Sequence, residues 1–295
     1  MQTKPGMLLV AGGARDPNII HFMKRLTSRN VPHYALLTGQ DACPGVTWDI
    51  DSDTLVLNGT QVSPTALFMR HDVFESMNDT RPEVGHRALA WYNTLSGWAE
   101  AHPRVNYLNR KMPYVASNKP HALLLARQCG LNIPETLITN DLTKAQQHAA
   151  IDKCIVKPVS GGGYCEDLIQ SLTNTPQINN LSASPAIVQT RMHSPEYRVY
   201  VIGEHTIGFR LDSNSLDYRV TQDATITKVP VPEEVIEPLK ALVKKLGLNF
   251  GAADFKTDTR NKTLRFLELN TGPMFAAFDK VADGAISDAF IDVLT

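Results

Sequence analysis

Apolar positions in the first third of the chain fall in short runs closed by turn-forming residues, the pattern of strands alternating with helices. Residues 7–13 form such a run, ending in Gly12-Gly13. Asp16-Pro17 follows, an N-cap and first-turn proline that predict a helix over 18–28. Residues 34–38, 47–50 and 66–69 predict further strands, the last ending at Arg70. Asn58-Gly59, between Leu55-Val56-Leu57 and Gln61-Val62, predicts a tight hairpin. Residues 83–101 predict a long helix with Trp91, Leu95 and Trp98 on one core-facing stripe. Together these elements predict an α/β domain over residues 1–112.

Residues 105–109, near its end, read as extended; beyond it, Ser117 reads as the cap of a helix running to Gln128, and Gly130 as the glycine that closes it. A strand is expected over 133–139, a helix capped by Asp141, and a strand over 154–158 that runs into Ser160-Gly161-Gly162-Gly163. Strands dominate from 186 onward, at 186–190, 197–202 and 206–211. A helix over 233–246 closed by Gly247 and a terminal helix over 285–294 complete the pattern. The expected subdomains are 113–188 and 189–295, with no internal repeat and no low-complexity linker.

Composition narrows the function classes. The chain has 295 residues, 43% hydrophobic and 20% charged, an ordinary globular balance. Its 29 Lys plus Arg against 30 Asp plus Glu give a net charge of −1, which supplies no basic field for nucleic acid. No apolar run approaches the roughly 18 residues of a membrane span, and the N-terminus lacks a signal-peptide pattern, so no membrane partner and a cytoplasmic location are expected. Cys43, Cys129, Cys154 and Cys165 form no C-x-x-C pair and read as reduced thiols.

The candidate chemistry lies in the last quarter. Gly251-Ala252-Ala253-Asp254 and Leu267-Glu268-Leu269-Asn270 are both strand-like. Side chains two apart on a strand share a face, so Glu268 and Asn270 point one way while Leu267 and Leu269 are expected in a core. With Asp254 beside them, three oxygen ligands of the kind magnesium takes would converge. Lys157, between Val156 and Pro158 in an apolar strand, is costly to bury unless an anion meets it, which suggests a phosphate contact. The glycines after Ser160 let backbone N–H groups approach a phosphate closely, although the run is neither a Walker loop nor a dinucleotide fingerprint.

The order Lys119, Lys157, glycine-rich loop, Gln189, Glu196, Arg198, Asp254, Glu268, Asn270 resembles the ATP-grasp superfamily over residues 113–295. The resemblance implies an α/β (α+β) ATP-grasp fold behind an N-terminal pre-ATP-grasp domain. It also implies ATP with magnesium, two ions being expected. Carried over, Lys119 and Lys157 reach the phosphates, and Ser160, Gly161, Gly162 and Gly163 form a lid. Gln189 lies at the hinge beside adenine, Glu196 binds the ribose hydroxyls, and Asp254, Glu268 and Asn270 hold the metal. Arg70, residues 117–127, residues 133–140, Asp217-Tyr218-Arg219 and the stretch 231–254 look most like RimK-like ligases and, closer still, the microviridin-type graspetide ligases that macrocyclise ribosomal peptides. One departure stands out: Asn270 is followed by Thr271-Gly272-Pro273-Met274 where graspetide ligases carry Pro-Asn-Gly-Gln-Trp, which is closer to amino-acid and dipeptide ligases.

What the resemblance implies is an ADP-forming carboxylate–amine ligase that activates a carboxylate as an acylphosphate, with Lys157 among the catalytic groups. Arg198 and Arg219 are candidates for the acyl carboxylate, since a guanidinium fork suits that anion. Their other reading is an ion pair with Glu196 or Asp217. The expected substrate is an amino acid, dipeptide or similar small metabolite. The alternatives are a peptide-modifying ligase and a nucleotide-binding regulatory module. Relatives of this kind are commonly homodimers. His71, His193 and His205 receive no role.

Overall fold

A computed structural model describes residues 7–39, 43–110, 118–148, 151–160, 163–213 and 223–295. Contacts divide the chain into two units, Met1–Met112 with Met274–Thr295, and Pro113–Pro273. The fold is mixed α/β, with a parallel sheet and a small antiparallel one in the first unit and antiparallel strands in the second.

In the larger sheet of the first unit the strands order as His33–Thr38, Leu8–Gly13, Ala66–Met69, Asn106–Tyr107, all parallel. Helix Pro17–Ser28 starts as its sequence signals require: Asp16 accepts from the Asn18 backbone N–H at 2.7 Å, and Pro17 opens the first turn. The strand-end Arg70 pairs with the same Asp16 at 2.8 Å. The hairpin of Thr54–Leu57 and Thr60–Val62 turns through Asn58 (φ 47°) and Gly59 (φ 77°), the left-handed pair such a turn demands. Helix Pro82–Ala101 buries Leu95 and Trp98 in the core, and Trp91 packs against it.

The segment from Met274 onward, grouped by sequence with residues 189–273, packs in this first unit. Asn18 explains why. Its Oδ1 accepts from the backbone N–H groups of Phe275 at 2.7 Å and Ala276 at 2.9 Å, capping helix Ala276–Val281 from another element. Phe275 and Phe290 then join Phe22 and Phe68 in one ring cluster, with centroids 4.3 to 6.2 Å apart. Offset and edge-to-face contacts at such spacings add to the area these rings bury.

The second unit holds two antiparallel sheets. One contains Thr136–Asp141, Cys154–Pro158, Glu166–Asp167, Gln177–Ile178 and Leu181–Thr190. The other orders Thr225–Val229, His205–Asp212, His193–Ile202, Phe250–Asp258, Thr263–Asn270. Helix Lys119–Gln128 is capped by Asn118, whose Oδ1 accepts from the His121 N–H at 3.0 Å. Ser117, the expected cap, lies outside the described residues. Gly130 (φ 95°) follows the helix and Gly247 (φ 72°) follows Glu233–Lys245, both in the left-handed region where glycine avoids a Cβ clash. Helix Leu168–Asn174 and strand Thr225–Val229 carry too few periodic positions to be read from sequence. None of the four cysteines, all among the described residues, forms a disulfide. No helix among the described residues is long and apolar enough to cross a membrane.

Candidate functional site

Strand register gathers the site in the second unit. Arg198 stands directly opposite Asp254, and Asp254 directly opposite Glu268, so the three share a face. Ala252 opposes Asn270, which brings Asn270 to that face as well. Arg198 grips Asp254 with two parallel bonds, Nε to Oδ1 at 2.7 Å and Nη2 to Oδ2 at 2.8 Å, both side chains being buried. Asn270 Nδ2 donates to the same Oδ2 at 2.9 Å. Of the two partners expected from sequence for Arg198, Glu196 is instead paired with Lys256 at 3.4 Å, and Asp217 lies outside the described residues.

A bulge shapes the end of this face. Asp254 opposes Glu268 but Phe255 opposes Phe266, leaving Leu267 as the extra residue. The bulge corrects the expected phase: Phe266 and Leu269 are the buried side chains, and Leu267 is only half-buried. Its carbonyl accepts instead from Lys157 Nζ at 3.2 Å. Lys157 is 6% exposed. Burial pushes its ammonium below the ordinary lysine range, and Glu268 opposes that shift. One hydrogen bond among the described residues leaves two of its three N–H donors for an anion. Lys119 opens its helix 3.4 Å from Glu268 Oε2.

Gln189 lies on the face of its sheet that carries Lys157, since Ile187 opposes Lys157 and Gln189 is two residues further along that strand. The Thr136 hydroxyl gives its proton to the Pro134 carbonyl at 2.8 Å, so it accepts from Gln189 Nε2, also at 2.8 Å. That fixes the amide orientation. Gln189 Oε1 is left buried with no hydrogen-bond partner among the described residues. Glu196 is 9% exposed. Burial pushes its carboxyl up to about 7, with the Asp254 charge adding to it and Lys256 and Arg198 opposing.

The remaining sequence candidates divide. Ser160 and Gly163 are exposed, and a Cβ on Gly163 would come within 2.9 Å of the Pro158 ring, so the chain needs glycine there. Gly161, Gly162 and Arg219 lie outside the described residues.

No protein-family model matches this sequence. No curated protein matches it either. Solved structures do. The ATP-grasp ligase PsnB, complexed with a minimal precursor, magnesium and ADP, aligns over 97% of this chain and 98% of its own at 26% identity and a TM-score of 0.74. The chain is an ATP-grasp ligase. Macrocyclase MdnC of Microcystis aeruginosa MRC, bound to precursor peptide MdnA, shares the fold at 18% identity over 98% of this chain and 99% of its own, with a TM-score of 0.73. The D-Ala:D-Ser ligase VanG of Enterococcus faecalis shares it at 14% identity over 99% and 100%, with a TM-score of 0.63.

An ATP-grasp fold implies magnesium and a nucleotide, and these side chains fit both. Asp254 and Glu268 are like charges placed directly opposite each other, an arrangement that destabilises a sheet unless cations meet it. No three His, Cys, Asp or Glu side chains gather as a metal cluster among the described residues, so a cation here would take two carboxylates and the Asn270 carboxamide. All three are hard oxygen donors suited to magnesium. Lys119, Lys157, Arg198 and Lys256 stand among Glu196, Asp254 and Glu268, four cations to three carboxylates, a surplus that suits a polyphosphate. Lys256 and Thr136 are residues that sequence reasoning missed. Lys256 was within reach, being two residues beyond Asp254 in strand phase. Thr136 meets Gln189 through a sheet register that no local pattern encodes.

Proposed function

We propose that this chain is an ATP- and magnesium-dependent, ADP-forming ligase whose substrate is a peptide, joining a side-chain carboxylate to a Lys, Ser or Thr side chain. One observation carries the peptide reading: the end-to-end likeness to PsnB, a ligase solved with its precursor, at 26% identity. The likeness to a D-Ala:D-Ser ligase is 14%. Peptide substrates thus replace the small metabolites that Thr271-Gly272-Pro273-Met274 suggested.

In this reading the γ-phosphoryl group moves from ATP to a substrate carboxylate oxygen, leaving ADP and an acylphosphate. The acceptor amine or hydroxyl attacks the carbonyl carbon, phosphate departs with the C–O bond, and the acceptor's proton is released. Lys157 supplies its two remaining N–H donors to phosphate oxygens, and Lys119 adds charge from the start of its helix. The orphaned Gln189 carbonyl accepts from the adenine amino group, and Glu196 accepts from the ribose hydroxyls. Asp254, Glu268 and Asn270 would hold magnesium, which would supply positive charge against the charge that develops on the transferring phosphoryl group. Arg219 receives the acyl carboxylate. Phosphoryl transfer asks the protein mainly for such positioning and charge compensation. We also propose that residues 113–188 and 189–273 act as separate subdomains around this site.

The test is phosphate release from ATP and magnesium with a peptide library that places Asp and Glu within reach of Lys, Ser and Thr, beside free amino acids and dipeptides. The expected products are ADP, phosphate and peptides lighter by one water per linkage. Turnover confined to amino acids or dipeptides would restore the small-metabolite reading.

A further inference from the structure

We propose that Arg198 is a positioning residue of the metal site, holding the Asp254 carboxylate so that a single lone pair on Oδ1 is offered to a divalent cation. The inference rests on the reading of Asp254, Glu268 and Asn270 as magnesium ligands.

An ionised carboxylate has about four lone-pair sites on its two oxygens. Three of them are occupied here. Arg198 Nε donates to Oδ1 at 2.7 Å, Arg198 Nη2 to Oδ2 at 2.8 Å, and Asn270 Nδ2 to Oδ2 at 2.9 Å. Oδ2 is therefore filled and Oδ1 keeps one site, which makes Asp254 a monodentate ligand. Rotation of the carboxylate would break all three bonds at once. The pair is also held by its backbone, since Arg198 and Asp254 are direct partners across two adjacent inner strands of the sheet. Arg198 is 9% and Asp254 5% exposed, so water offers little competition for either.

The same bonds orient Asn270. A carboxylate only accepts, so the group facing Asp254 is the amide nitrogen and the Asn270 carbonyl is turned elsewhere. Arg198 thus reaches two proposed ligands, Asp254 directly and Asn270 through it. The Nε–Nη2 edge of its guanidinium is spent on Asp254, which gives Arg198 a different task from receiving the acyl carboxylate.

Partners that orient metal ligands typically contribute about 10- to 100-fold in metal affinity. The test is manganese binding to the full chain saturated with ADP, followed by electron paramagnetic resonance, for the wild type and for Arg198→Lys, Arg198→Met and Glu268→Gln. Arg198→Lys retains the charge but cannot make the two-bond fork, and should weaken manganese binding about tenfold. Arg198→Met should weaken it further, and Arg198→Lys keeps the test valid if the methionine variant does not fold. Steady-state kinetics give a second readout: the apparent KM for magnesium should rise while the KM for the peptide stays unchanged. Wild-type manganese affinity in both Arg198 variants, with binding lost in Glu268→Gln, overturns the role of Arg198 and leaves the metal site standing. Wild-type affinity in Glu268→Gln overturns the site itself. A raised KM for the peptide alone would place Arg198 on the acyl group.

Discussion

Glu196 shows how far a single residue departs from what its type implies. As an isolated glutamate it would be charged above about pH 5. Desolvation raises its folded value to about 7. Between the unfolded and folded values the native chain holds a proton that the unfolded chain has released, so stability falls as pH rises through that window. Ribose hydroxyls bind best to the ionised form, and the two dependences therefore oppose each other. ATP affinity should strengthen about tenfold from pH 6 to pH 8, as the ionised fraction grows on either side of a value near 7. Glu196→Gln should flatten that slope relative to the wild type and stabilise the ATP-free protein at pH 8. Calorimetric titration and thermal melts at both pH values check this, and a parallel slope in the variant would remove Glu196 from the ribose.

At the scale of elements, one bulge accounts for the main error in the sequence reading of the site. Strict alternation places Leu267 in the core. The extra residue instead turns its carbonyl to Lys157 and gives the core position to Phe266. Glu268 and Asn270 keep their common face because both follow the bulge. Bulges recur beside active sites because they re-aim a strand without ending it. Lys157 is held near the proposed phosphates by this device, at the cost of a buried ammonium. Lys157→Met removes that cost along with the charge. It should therefore leave the melting temperature unchanged or higher while turnover falls about 100-fold or more, the scale of losing one preorganised charge contact. A variant that melts lower and turns over normally would make Lys157 a structural residue.

For the whole molecule, the decisive feature is the return of residues 274–295 to the N-terminal unit. Asn18 is the hinge pin of that return, accepting two backbone N–H groups 257 and 258 residues away in sequence. Asn18→Leu leaves both donors buried and unpaired, a loss of about 3 kcal/mol when each costs roughly 1–3. Chemical denaturation should register it as a lower midpoint. An unchanged midpoint would mean that the ring cluster of Phe22, Phe68, Phe275 and Phe290 holds the segment alone.

Local chemistry was legible along the chain. Asp16-Pro17 and Asp141 set helix starts, Asn58-Gly59 set a hairpin, and Gly130 and Gly247 set helix ends, because each acts on neighbours within a few residues. Strand phase put Glu268 and Asn270 on one face. The order of lysines, glycines and acids pointed to the ATP-grasp ligases where no protein-family model and no curated protein matches. Tertiary structure decided what depends on partners far apart in sequence. The bulge at Leu267 follows from pairing with another strand, the fork of Arg198 on Asp254 from sheet register, and the orphaned Gln189 carbonyl from a proton that Thr136 gives away. The raised carboxyl of Glu196 needs the burial of a completed sheet. A sequence displays a residue's neighbours on the chain, whereas charge state, hydrogen-bond direction and strand irregularity are set by its neighbours in space.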